Sequence, residues 1–177
     1  MLLKLINWIN KSNTKNIFRT LLIISGLCYL LVGTNIFGLL SDFDSKYMLD
    51  LVFYYSGDKF ITTLANISVT QAGYSQLIHY IDYLFIATFY PLLVLILVRI
   101  INNAHKAKYY IILPILAMIC DFSENLIIDI QLSYGVGNFF AGISGILTLL
   151  KFIFIITTII IAIVFIIIKL KGRENNG

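Results

Sequence analysis

The sequence predicts an all-α integral membrane protein: a four-transmembrane-helix bundle with short interfacial helices in its first external connection. Two observations predict it. Of 177 residues, 59% are hydrophobic and only 12% charged, whereas a soluble domain is about one quarter charged. The apolar residues also gather into four runs of about twenty, the length a helix needs to cross a hydrocarbon core about 30 Å thick. Four spans with their connections use nearly every residue, so no separate soluble domain is expected.

Residues 1–19 read as a cytoplasmic interfacial segment. Leu2, Leu5, Ile6 and Ile9 recur at helical spacing with Trp8 beside them, and Lys4, Asn7 and Lys11 lie elsewhere around the helix. That pattern suits a short helix lying in the interface, with Trp8 at headgroup level. An uncleaved first span is expected here rather than a signal peptide, because the apolar run after Arg19 is longer than a typical signal core and no clear A-x-A site comes after it. Residues 20–170 form the transmembrane domain, with spans over about 20–40, 78–101, 109–130 and 143–168. Residues 171–177 form a polar cytoplasmic tail, expected to fray.

The first connection, from Ser41 to Leu77, is long for a compact bundle. Leu49, Val52 and Phe53 share a helical face, Tyr47 and Tyr55 lie nearby, and Asp58 is placed to cap a second short helix through Phe60, Ile61 and Leu64. A connection so rich in Tyr and Phe is read as a cap over the bundle mouth. Asn66-Ile67-Ser68 matches a glycosylation sequon, a tripeptide too common by chance to carry an argument.

Orientation comes from the bias of Lys and Arg in short loops. The N-terminal segment has Lys4, Lys11, Lys15 and Arg19; the second connection has Arg99, Lys106 and Lys108; the tail has Lys169, Lys171 and Arg173. The first connection is acidic on balance and the third carries no charge. The chain is therefore expected in the cell membrane with both termini cytoplasmic. Its net charge of +4 belongs to these loops. Lys and Arg are scattered among span ends rather than set in a basic, aromatic-studded surface, so nucleic-acid binding is not indicated.

Within the spans, Pro91 and Pro114 each remove a backbone hydrogen bond, freeing the carbonyls of Ala87 and Tyr110. Gly26 and Gly33 read as sites of close helix contact, and Gly135, Gly137, Gly142 and Gly145 as a flexible turn leading into the last helix. Cys28 and Cys120 lie in apolar runs and form no disulfide framework or CxxC pair.

Ionisable side chains interrupt three of the four apolar runs: Asp82 in the second, Asp121 and Glu124 in the third, Lys151 in the fourth. A charge at the bilayer centre costs about 2.5–3.5 kcal/mol on insertion scales, so such residues face a protein interior and often mark a site. Counted from the basic residues at the cytoplasmic ends at about 1.5 Å per residue, Asn35, Asp82, Asp121, Glu124 and Lys151 all stand roughly 20–27 Å up their helices. They share one depth in the outer leaflet. Asp121, Glu124 and Asn125 lie on one face, which Asp129 extends; Ser144, Thr148, Lys151 and Thr158 make a stripe on the last helix; His79, Asp82 and Tyr83 cluster on the second. Facing one another, the three stripes each gain a partner other than lipid.

Lys151 then opposes three potential negative charges, which cannot all persist at low dielectric. A proton or a cation is expected to balance them, and a structural salt bridge alone needs only one carboxylate. The candidate ligand-, proton- or cation-binding residues are Asp82, Asp121, Glu124, Asn125 and Lys151. Hydrogen-bonding glue between helices, or snorkelling of Asp82 and Lys151 to the outer interface, is the competing reading. No H-E-x-x-H, Walker loop, G-x-S-x-G or dinucleotide fingerprint occurs. A zinc hydrolase is disfavoured, with His105 far from the cluster, whereas carboxylate ligation of a harder cation stays compatible. The sequence names no cofactor and no particular metal.

The combination Asp82-Tyr83-x-Phe85, Asp121-Phe122-x-Glu124-Asn125 and Lys151-Phe152 resembles small uncharacterised four-span bacterial integral membrane proteins. The resemblance covers most of the chain from the first span onward, and it implies architecture and these positions only. The expected function is a non-enzymatic one, binding a proton, cation or cationic ligand in transport or sensing. A membrane scaffold or accessory subunit is the alternative, and a lipid enzyme using carboxylates and a metal a third. Partners expected are the lipid bilayer and either a second copy or a membrane subunit, since four spans are few for a complete transporter.

Overall fold

The computed structural model describes residues 2–11, 14–33, 53–65, 69–101, 103–134 and 138–174. Among them the protein is helical, in the order α1 Leu2–Lys11, α2 Lys15–Gly33, α3 Gly57–Ala65, α4 Val69–Ile101, α5 Ala104–Tyr110, α6 Ile112–Tyr134 and α7 Asn138–Glu174. Three stretches are long and apolar enough to cross a membrane: Tyr80–Ile101, Ala104–Gln131 and Phe139–Lys171. The number rises to four if α1 and α2, which meet at 106°, are taken as one broken span. Leu22, Ile23, Ile153, Ile160 and Ile163 expose large apolar side chains. Such surface suits lipid, because a soluble monomer rarely leaves wide contiguous apolar patches facing water.

The described segments place several elements differently from the sequence reading. Helix α4 starts at Val69 rather than near residue 78. Once nucleated by its apolar portion, it propagates through a polar first part, because each added residue gains a hydrogen bond. The expected connection around Lys106 and Lys108 is helix α5, capped by Asn103, whose side chain accepts the Lys106 N–H at 3.1 Å. The helix breaks at Ile111, between α5 and α6. Pro114 accounts for the break, since it has no N–H for the Tyr110 carbonyl and its ring crowds that carbonyl. At the other end, α7 runs on through Glu174, so the start of the expected frayed tail is helical. Lys, Arg and Glu are good helix formers and extend an existing helix readily.

Helix α1 forms as its spacing predicts, but its most buried face docks on protein. Ile6 and Ile9 pack with Leu95, Leu97, Val98, Ile101, Ala107 and Ile111 from α4, α5 and the break beyond it. Arg99 secures the adjoining end of α2: its guanidinium donates to the Thr14 hydroxyl and lies 5.1 Å from the centre of the Phe18 ring.

In the first connection, the cap of α3 is Ser56 rather than Asp58. The Ser56 hydroxyl accepts the Lys59 N–H at 3.2 Å, and its carbonyl accepts the Phe60 N–H at 3.0 Å. Asp58 sits in the first turn, where its charge complements the helix dipole. The helix predicted around Leu49 and Val52, the sequon at Asn66-Ile67-Ser68, Asn35, Gly135 and Gly137 lie outside the described residues, as does the His79 side chain.

Within the first connection, residues 53–65 pack along α7. Phe53 stacks on Phe152 with ring centres 4.5 Å apart, and Tyr55, buried, stacks on Phe60 at 5.8 Å. Gly145 makes this approach feasible. A Cβ there would stand 1.9 Å from the Tyr55 carbonyl oxygen, so the glycine seats a crossing backbone and is no part of a flexible turn. Among the described residues nothing lies within 4 Å of a Cβ placed at Gly26 or Gly142, so the close helix contact that sequence context predicts for Gly26 is not made with them.

The two helical glycines of α7 therefore respond oppositely to Ala. Gly145→Ala is expected to lower stability by about 1–3 kcal/mol through overpacking against Tyr55. Gly142→Ala should be neutral or stabilising by up to about 1 kcal/mol through helix propensity. Unfolding of the purified variants in detergent, followed by circular dichroism, checks both.

Candidate functional site

The site is built from α6 outward. Asp121, Glu124 and Asn125 fall at i, i+3 and i+4, which turns all three to the same side of the helix, where they are buried. On α7, Ser144, Thr148, Lys151 and Thr158 are likewise buried, as their spacing predicts. The two stripes meet. Lys151 Nζ stands 2.7 Å from Asp121 Oδ1 and 2.8 Å from Glu124 Oε2, with its side chain only 6% exposed. Snorkelling is thus not what Lys151 does: its stem is enclosed, and its amine is held between two carboxylates rather than reaching headgroups.

The remaining carboxylate oxygens are matched by hydroxyl donors. Asp121 Oδ2 accepts the Tyr90 hydroxyl at 2.7 Å. Glu124 Oε1 accepts the Tyr55 hydroxyl at 2.9 Å and also the Thr148 hydroxyl. Tyr55 has a single phenolic proton. With that proton on Glu124, the Ser144 hydroxyl 2.7 Å away donates to the Tyr55 oxygen. Charge-assisted bonds of this kind are roughly twice as strong as neutral ones.

Asp82 joins through Asn125, whose Nδ2 donates to Asp82 Oδ2. The Asn125 Oδ1, on a residue with 0% exposure, meets no hydrogen-bond donor among the described residues. Tyr83 donates to Asp129 Oδ2 at 2.6 Å. Helices α4 and α6 are therefore crosslinked by Tyr83–Asp129, Asp82–Asn125 and Tyr90–Asp121. From the first two of these links to the third, the position rises on α4 and falls on α6, so the two helices are antiparallel.

All five residues singled out from the sequence thus belong to polar contacts between α4, α6 and α7. Two further members had no such expectation attached. Tyr90 lies eight residues beyond Asp82 on the same stripe of α4, a position that could have identified it. Tyr55 comes from a connection, and no periodicity links a connection to a helix; only its aromatic neighbours hinted at burial. Among the described residues, no group of three or more His, Cys, Asp or Glu stands in metal-binding array.

Compared with protein-family models, curated proteins and solved structures, the chain matches none.

Removing one member of a buried ion pair strands the other, at a cost of about 3–5 kcal/mol. Lys151→Met, which leaves two carboxylates facing each other, is expected to lose that much stability. Tyr90→Phe and Tyr55→Phe, each removing one hydroxyl donor to a charged oxygen, should lose about 1–3 kcal/mol. Denaturant titration in micelles ranks the three, and Lys151→Met should be the most damaging.

Proposed function

We propose that this protein is a small four-span bundle of the cell membrane, with both termini cytoplasmic, whose buried Asp121–Lys151–Glu124 triad takes up a proton or cation for transport or sensing. One observation carries the reading: among the described residues one ammonium, that of Lys151, lies between two carboxylates that are both sealed from solvent. With all three groups ionised, a net negative charge stays inside a low-dielectric bundle, which is unfavourable without a further positive partner. The unmatched Asn125 oxygen adds to the case. An orphaned buried acceptor costs about 1–3 kcal/mol, and a proton donor or cation beside it would remove that cost.

In this reading Asp121 and Glu124 accept the proton or cation and Lys151 is the fixed counter-charge. Asn125 and Asp82 orient the neighbouring α4–α6 contact. The Lys and Arg bias of the loops supports the orientation, and in this reading α2 belongs to the fourth span while α1, set at 106° to it, lies in the interface. Association with a second copy or a membrane subunit completes the assembly.

A second reading is favoured by the saturation of the network. Both oxygens of Asp121 and both of Glu124 are engaged, and Tyr55 pins the external connection to the triad. A scaffold or accessory subunit needs only that clamp.

Infrared difference spectra separate the two. Under the leading reading, acid-minus-alkaline spectra of the reconstituted protein contain a protonated-carboxyl C=O band, or one induced by removing sodium or potassium. Asp121→Asn or Glu124→Gln should abolish it. Spectra without such a band under either exchange, or with a band indifferent to both substitutions, leave the clamp as the function.

A further inference from the structure

A groove of about 270 Å³ runs between α1, α2, α4 and α6. Its walls include Leu5 and Trp8 of α1, Leu21 of α2, Tyr90 and Pro91 of α4, and Pro114 of α6. Both prolines of the chain therefore face this one space. The single polar atom that Tyr90 brings to the wall is its hydroxyl, already donated to Asp121. Pro91 stands eight residues from Arg99, about 12 Å along the helix, so the groove reaches from the basic end of the bundle well into the hydrocarbon layer.

The N-terminal segment that supplies Leu5, Trp8 and Leu21 to the wall has one sign of charge. Residues 1–20 contain Lys4, Lys11, Lys15 and Arg19 and no Asp or Glu. Lys4, Trp8 and Lys11 are spaced i, i+4 and i+7, which sets both lysines on the helical face of the tryptophan. All three are exposed, Trp8 by 53%. Arg99, bound to Thr14 and lying over Phe18, holds the start of α2 against α4.

We infer that this groove seats one acyl chain of an anionic phospholipid, with the headgroup held by Lys4 and Lys11. The walls supply only apolar contact, which fits a hydrocarbon chain and nothing polar. The flanking N-terminal segment supplies only positive charge, which selects anionic over zwitterionic headgroups. The site depends on the membrane setting but not on proton or cation chemistry at the triad.

Trp8 is the only tryptophan, so its fluorescence reports the groove directly. The protein is reconstituted in phosphatidylcholine vesicles containing a small fraction of phosphatidylglycerol, with acyl-chain bromine on one lipid or the other. Brominated phosphatidylglycerol is expected to quench Trp8 far more than the same mole fraction of brominated phosphatidylcholine. Its apparent affinity should fall about fivefold for each of Lys4→Gln and Lys11→Gln. Val94→Phe, which narrows the groove, should weaken quenching with the lysines intact; if it fails to fold, the lysine series decides alone. Equal quenching by the two lipids would mean ordinary boundary lipid and overturn the proposal. Absence of quenching by either, meaning that protein covers the groove, would overturn it too. Asp121→Asn should keep the lipid preference, so this proposal and the triad reading fail independently.

Discussion

The ion pair from Lys151 to Asp121 and Glu124 is the contact around which the described bundle is organised. It joins α6 to α7, and the same two carboxylates receive Tyr90 from α4 and Tyr55 from the segment before α3. Four parts of the chain thus converge on four carboxylate oxygens. Hydrophobic burial cannot specify such an arrangement inside a membrane, because lipid tails are as apolar as the helix faces they would replace. Polar groups discriminate where apolar ones do not. A helix rotated by one residue would turn its charged stripe to hydrocarbon, at a cost of about 2.5–3.5 kcal/mol per charge.

That constraint accounts for features that look unrelated in the linear chain. Gly145 is small because Tyr55 must pass over it to reach Glu124. Ser144 and Thr148 sit one turn apart on α7 because the Tyr55 hydroxyl and Glu124 Oε1 both need partners there. Tyr90 is a tyrosine, where phenylalanine would bury equally well, because Asp121 Oδ2 needs a donor once Lys151 has taken Oδ1.

The helical stripes were legible in the sequence, since i, i+3, i+4 spacing converts directly into a face. Asp121, Glu124 and Asn125 were placed together that way, as were Ser144, Thr148 and Lys151, and counting along each helix put them at one depth. Pairing was less legible. The spacing said that stripes face something, but which oxygen meets which donor depends on helix rotation to within a few tens of degrees, and sequence periodicity does not resolve that. The role of Gly145 was hidden for another reason. Glycine near a helix start reads as a turn, and only the path of a segment some ninety positions earlier reveals that the missing side chain makes room for a carbonyl. Apolarity alone does not mark the element ends, because the polar start of α4 and the basic end of α7 are as helical as the apolar parts between them.

Tyr90 connects the two sites. Its hydroxyl completes Asp121, while its ring forms part of the apolar groove that Pro91 and Pro114 also line. One side chain thus contributes its hydroxyl to a buried charge and its ring to a groove wall. Tyr55 stands in the corresponding position toward the segment before α3, with its backbone on Gly145 and its hydroxyl on Glu124. The triad is therefore held from two sides, through one tyrosine each, while its charged atoms are closed to solvent.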